Sequence, residues 1–296
     1  MDARLAALIA IASLAMQSAS GERLEPGTLP SSWITAASCP EEPVVRVHEY
    51  NPDFFILRQS GCTNFEKPFL YLIFGERSAL LVDTGAQAAD IAGPVDRVVA
   101  GWSARHGGRP VALVVVHSHG HGDHVAGDAQ FRSRADTTLV TASPAALTSF
   151  FGLTDWPNVP APYTLSGRLI DVIPIPGHEP ASIALYDRRT GILLTGDTLY
   201  PGRLYVRDAV AFTASIRRLV AFTQDKPVAH ILGAHVENAR TPYVDYPEGT
   251  KYQPDEHVLE LGRAHLLELN DALTEMRGTV VRRAFRDFTI WPLPPR

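Results

Sequence analysis

His117-Ser118-His119-Gly120-His121-Gly122-Asp123-His124 places four histidines and an aspartate in eight consecutive residues. Imidazoles and a carboxylate this close together repel one another when charged and need a common partner. A divalent cation supplies one. The glycines between the histidines let the backbone fold tightly, so alternate side chains can converge. Asp123 and His124 then open the next helix, where a carboxylate is favoured.

Such a cluster needs a rigid support, and the flanking sequence supplies strands. Val111 to Val116 is an apolar, β-branched run, as expected of a strand buried on both faces. Val44 to His48 and Phe54 to Leu57 read as strands around an Asn51-Pro52-Asp53 turn. Phe69 to Phe74 and Ala79 to Val82 form a hairpin over Gly75-Glu76-Arg77. Helical spacing covers residues 87–106, with Ile91, Val95, Val98, Val99 and Trp102 along one side. Further on, Thr138 to Thr141 is strand-like, Ala145 to Phe151 a short helix and Leu169 to Ile175 a strand. Ala181 to Tyr186 and Ile192 to Thr195 read as a hairpin, residues 208–223 as a helix and His230 to Leu232 as a last buried strand. Residues 255–276 read as a helix, and Val280 to Trp291 as a terminal strand. Strands pairing early and late, with helices between, predict an α/β (α+β) fold: two mixed sheets face to face with helices outside, an αββα sandwich.

The His-x-His-x-Asp-His segment resembles the signature of the metallo-β-lactamase superfamily, over roughly residues 43–238. Other segments resemble that family's remaining motifs in the right order: Leu81-Val82-Asp83-Thr84-Gly85, Pro176-Gly177-His178, Leu194-Thr195-Gly196-Asp197-Thr198-Leu199 and Gly233-Ala234-His235. The resemblance implies that Asp83 braces the ligand loops. It assigns His119, His121 and His178 to a first metal and Asp123, His124 and His235 to a second, with Asp197 bridging. Five imidazoles and two carboxylates suit zinc best, with iron or manganese tolerated. Three non-bridging ligands per ion leave each open to water and substrate. His117 stands one residue too early for the motif and is read as a strand-end side chain packed into the sheet.

This set implies a metal-dependent hydrolase in which two ions hold a hydroxide that attacks a carbonyl. Asp123 would orient the nucleophile or accept its proton. Gly-x-Ser-x-Gly is absent, so a serine hydrolase has no support. β-Lactamases of this superfamily usually carry cysteine or serine where Asp197 stands, so Asp197 resembles the glyoxalase-II-like and lactonase-like branches. Tyr200, three residues later, stands where lactonases of the superfamily place a tyrosine on the substrate carbonyl, and is read as a candidate catalytic group; simple aromatic packing is the alternative. The 61 residues after His235 do not resemble a glutathione-binding domain, so cleavage of glutathione thioesters is not the expectation. Tyr243, Tyr246 and Tyr252, interleaved with prolines, predict a stiff loop that roofs the site or straps the C-terminal helix. The expected substrate is a small ester, lactone, thioester or amide. The alternatives are a mononuclear iron dioxygenase of sulfur compounds, a β-lactamase-type amidohydrolase, a nuclease of the same fold, or a binding protein with a degenerate site.

The chain has 296 residues, 45% hydrophobic and 20% charged, with a net charge of −5. Length allows one large domain or a domain with a small appendage. Its mild acidity disfavours nucleic acid and anionic membranes as partners. Residues 1–20 have the layout of a secretory signal peptide: a short head with Arg4, the apolar run Leu5 to Met16, and small residues suited to a cut after Ser20. A buried first helix is the alternative. The expected product is periplasmic or secreted, with no stable membrane insertion after cleavage, and residues 21–42 as an irregular lead-in. In an oxidising compartment the only two cysteines, Cys39 and Cys62, would be joined by the hairpin between them; two unrelated thiols is the alternative. Residues 239–296 are expected to pack on the catalytic domain as a loop, helix and strand. The sequence does not fix the oligomeric state.

Overall fold

Six strands build a first sheet in the order of the chain: β1 (Val45–Asn51), β2 (Phe54–Gln59), β3 (Phe69–Phe74), β4 (Ser78–Val82), β5 (Ala112–Val116) and β6 (Thr137–Leu139). The computed structural model describes residues 23–87 and 89–294. The expected leader, with its cut after Ser20, lies outside the described residues. Strands β1 to β4 are antiparallel neighbours, whereas β4, β5 and β6 run parallel. The β4–β5 crossover is helix α1 (Ala92–Arg105). α1 starts later than the expected residue 87: Ile91 and Ala92 donate their amides to Gln130 Oε1, which caps the helix from another segment.

The second sheet contains β7 (Ala161–Leu165), β8 (Arg168–Pro174), β9 (Ile183–Asp187), β10 (Ile192–Gly196), β12 (His230–Gly233) and β13 (Glu260–Leu261). Between β10 and β12 lie β11 (Arg203–Val206) and helix α4 (Ala209–Phe222). The shorter helices α2 (Gly122–Val125) and α3 (Pro144–Phe151) follow β5 and β6, and α5 (Arg263–Glu275) follows β13.

Side-chain alternation along the strands sorts the core into three layers. Phe54, Ile56, Tyr71 and Ile73 of the first sheet meet Ile170, Val172, Ile183 and Leu194 of the second. The alternate residues Leu57, Leu70, Leu72 and Leu81 face α1 through Ile91, Val95 and Trp102. On the far side, Ile173, Ala184, Leu193 and Ile231 carry α4 and α5 through Phe212, Ile216, Leu266 and Leu269. Helix, sheet, sheet and helix therefore stack as the sequence predicts.

Two further expectations are corrected. The last helix begins at Arg263, not residue 255, because Glu260–Leu261 pairs with β12 and the ring of His265 accepts the Gly262 amide at 3.0 Å. The expected single strand Val280 to Trp291 is broken by a turn in which Phe285 N–H donates to Phe288 O. Its pieces, β14 (Arg283–Ala284) and β15 (Thr289–Pro292), join β11 in a third small sheet. β7 and β11 were not foreseen; Pro160 and Pro162 mask the first and brevity the second. Cys39 and Cys62 are bridged, with their Cα atoms 5.5 Å apart. No described helix is long and apolar enough to cross a membrane.

Candidate metal centre

The seven expected ligands converge at one edge of the paired sheets, each from the loop that follows a strand. The 117–124 segment leaves β5, His178 leaves β8, Asp197 leaves β10 and His235 leaves β12. They form two adjoining groups, His119/His121/His178/Asp197 and Asp123/His124/Asp197/His235. Asp197 belongs to both. Its Oδ2 lies 3.7 Å from His119 Nε2 and 3.5 Å from His178 Nε2. Its Oδ1 lies 3.5 Å from His124 Nε2 and 3.3 Å from His235 Nε2. Asp123 Oδ2 closes the second group at 3.2 Å from both His124 and His235.

Hydrogen bonds behind the ligands fix which nitrogen of each ring faces inward. His124 Nδ1 donates to Asp83 Oδ2 at 2.9 Å, His178 Nδ1 to the Tyr205 carbonyl at 2.9 Å and His235 Nδ1 to the Glu66 carbonyl at 2.9 Å. His119 Nδ1 donates to Ser118 Oγ at 3.1 Å. Each therefore presents an Nε2 lone pair to the centre, the arrangement that orients ligating imidazoles. His121 is the exception. Its Nδ1 lies 2.9 Å from His119 Nε2 and 3.0 Å from His178 Nε2. Asp83, at a left-handed φ of 70°, also takes the Ser118 amide at 2.7 Å and its hydroxyl at 2.8 Å, the bracing role expected of it.

The residues fit a pair of cations. His124 Nε2 and Asp197 Oδ1 are buried yet have no hydrogen-bond partner. With Nδ1 of the neutral ring as its donor, both orphaned atoms are acceptors, and two unsatisfied acceptors in a dry site are costly unless something else satisfies them. Charge divides the site in the same way. Burial holds the His119, His121 and His178 imidazoles below their ordinary range, so they stand neutral and ready to ligate. Burial opposes charge on His124 and His235 as well, but Asp123 and Asp197 outweigh it and push both up. Against a similar burial penalty, His124 and His235 keep Asp123 ionised, and His235 and His124 do the same for Asp197.

The centre opens into a cavity of about 570 Å³, reached by His121, Asp123, His178 and Asp197. Its other walls carry residues the sequence reading did not single out: Glu66, Arg203, Tyr205, Arg207 and Trp291. β11 and the residue after it alternate Leu204 and Val206 toward the core with Arg203, Tyr205 and Arg207 toward the cavity, a period-2 pattern too short to mark a strand in the sequence. Tyr205 pairs in register with Trp291 of β15, and their rings pack edge to face 6.2 Å apart.

His117 behaves as expected: it is fully buried and bonds the Val140 carbonyl and Asp128, not the centre. Tyr200 requires a correction. It is 1% exposed and its hydroxyl donates to the Arg203 carbonyl, so the phenol is spent inside the core beside His235 and does not line the cavity. The loop expected either to roof the site or to act as a strap does reach the cavity, but not through its tyrosines. Tyr243 is exposed to solvent, Tyr246 accepts the Asp255 amide and Tyr252 donates to the Ala36 carbonyl. It is Asp245, Pro247 and Glu248 of the same loop that reach the cavity.

A family model described as the metallo-beta-lactamase superfamily matches residues 65–235. Two similar curated proteins are both named hydroxyacylglutathione hydrolase. One, from Rhizobium meliloti (strain 1021), is 27% identical over 131 residues, 43% of this chain and 48% of the relative. The other, from Anaeromyxobacter dehalogenans (strain 2CP-C), is 33% identical over 132 residues, 45% of this chain and 46% of the relative. The chain thus spans about half the length of the curated relatives it matches. Among solved structures, a metallo-beta-lactamase from Pontibacter korlensis superposes with a TM-score of 0.51 at 16% identity, covering 78% of this chain and 99% of that one. That likeness is one of fold.

Proposed function

The chain belongs to the metallo-beta-lactamase superfamily, and from that premise we propose that it is a dinuclear metallo-hydrolase acting on a small ester, lactone or thioester, with an amide as the less favoured electrophile. The observation that carries this reading is the placement of Asp197, one carboxylate oxygen toward each histidine group. In this reading His119, His121 and His178 hold one ion, Asp123, His124 and His235 the other, and Asp197 both. Divalent ions bound there, most simply zinc, would polarise the scissile carbonyl and acidify water. The protein's own contribution is position and proton handling. Asp83, Ser118, Tyr205 and Glu66 hold the imidazoles from behind. Asp123, facing the cavity, would orient the attacking water or accept its proton. Tyr205 and Trp291 offer an apolar wall to the substrate.

An aspartate at position 197 and the relatives' names both support an ester or thioester over a β-lactam. A second complete ligand group supports two ions over one. The Cys39–Cys62 bridge supports our placing of the enzyme in the periplasm or outside the cell. The test is a hydrolysis screen of zinc-loaded protein against aryl esters, lactones, thioesters, β-lactams and phosphodiesters. We expect turnover of the first three classes, abolished by chelation and by Asp197→Ala. Hydrolysis that survives Asp197→Ala at the wild-type rate, or one bound iron with oxygen uptake, would overturn the proposal.

A further inference from the structure

Arg207 stands between two cavities. It lines the 570 Å³ cavity that holds the candidate metal centre and also a neighbouring cleft of about 370 Å³, and the two share His178. The cleft is walled by Trp156, Pro144, Pro176, Pro180 and Ala211. Its two acids are already engaged: Glu179 accepts the Ala181 amide, and Asp208 caps α4 by accepting the Val210 and Ala211 amides.

The main chain of Arg207 is fixed, because its amide donates to the Gly177 carbonyl at 3.0 Å beside His178. Its side chain is not committed. Nε is buried without a hydrogen-bond partner, and no carboxylate among the described residues pairs with the guanidinium. The other arginine of the main cavity is the opposite case. Arg203 is tied to Glu237 at 2.9 Å, to Asp245 at 2.7 Å and to the Tyr246 carbonyl at 2.8 Å. A guanidinium with a buried, unsatisfied donor beside a reaction centre is an anion receptor awaiting its anion. Carboxylates elsewhere on the wall set the direction. Glu66 and Glu248 lie where the cavity runs toward the Lys67 side, away from the apolar cleft, and would repel an anion placed there.

We propose that Arg207 is a specificity-determining residue that grips a carboxylate of the substrate, with the substrate's apolar group lying in the Trp156–Pro180 cleft. The substrate class is then a carboxylate-bearing ester or thioester with an apolar substituent. This deepens the hydrolase reading and rests on it for the identity of the cleaved bond.

The experiment compares two 4-nitrophenyl esters on zinc-loaded full-length protein, one the half-ester of a dicarboxylic acid and one its neutral methyl-capped counterpart. Alongside, calorimetry compares binding of 3-phenylpropionate with that of 3-phenylpropionamide, which needs no turnover. Wild type should favour the free carboxylate by about tenfold or more in both assays. Arg207→Gln should lose at least about tenfold more on the acid ester than on the neutral one, mainly through KM, and should bind the two phenyl compounds about equally. Arg207→Lys should retain part of the preference. No preference in wild type, or one that persists in Arg207→Gln, would overturn the assignment. Failure to cleave either ester while the calorimetric preference holds would remove the hydrolase reading and leave Arg207 as a carboxylate receptor.

Discussion

Four of the five candidate ligand imidazoles, all but His121, are aimed by the group behind them, and Tyr200 shows how the same logic can remove a residue from the chemistry. Its hydroxyl is consumed by the Arg203 carbonyl, and burial, with Glu237 next, pushes the phenol far above its usual range. Tyr200→Phe should therefore leave kcat/KM for an ester within about threefold while lowering stability by about 1–2 kcal/mol, the cost of a buried carbonyl left unpaired. A loss near a hundredfold in kcat would restore the tyrosine to the reaction. Lys67 gives a pH signature. It is 5% exposed, and desolvation, with Arg58 next, lowers its ammonium from 10.5 to about 8. Between those values the folded chain holds fewer protons than the unfolded one, so stability rises with pH. The full gain is about 3 kcal/mol. Urea midpoints from pH 7.5 to 9.5 should climb in wild type and stay flatter in Lys67→Met; equal slopes would exclude the lysine as the cause. At residue scale the candidate ligands were legible because their motifs are local. Arg207, Tyr205 and Trp291 were not, because the wall they form depends on β11 pairing with a strand more than eighty residues away.

At the scale of elements, polar ties decide how strands meet. Arg168 at the start of β8 is completely buried against Asp187 of β9, with Nε 2.9 Å from Oδ1. Its Nη1 reaches across to the other sheet, donating to the Phe74 carbonyl at 2.9 Å and the Asp53 carbonyl at 3.0 Å. One guanidinium thus satisfies acceptors of both sheets. Arg168→Met should cost about 3–5 kcal/mol in urea unfolding, because Asp187 would be left as an uncompensated buried charge. Pairing it with Asp187→Leu should recover part of that; a single-variant loss below about 1 kcal/mol would contradict the account. Arg58 and Glu256 make a comparable buried tie between β2 and the loop before β13. Neither pair was readable from sequence, since charged residues nineteen or nearly two hundred positions apart carry no periodic signal. The apolar strands were readable for the converse reason: Phe69–Phe74 and Ile192–Gly196 are buried along their whole length. The start of α5 was misread because Gly262 and the short pairing of Glu260–Leu261 with β12 interrupt an otherwise helical composition.

For the molecule as a whole, two mixed sheets with helices outside bring the loops after β5, β8, β10 and β12 to one edge, so that candidate ligands far apart in sequence meet. The third sheet, β11-β15-β14, closes the side of the cavity and lies beyond the matched family segment in two of its three strands. The central claim is that this edge holds two ions and that hydrolysis depends on both. The direct measurement is a titration of metal-free protein with zinc while the hydrolysis rate of an aryl ester is recorded. The account predicts a rate that rises to a plateau at two equivalents per chain. A plateau at one equivalent, or a rate indifferent to zinc, would contradict it.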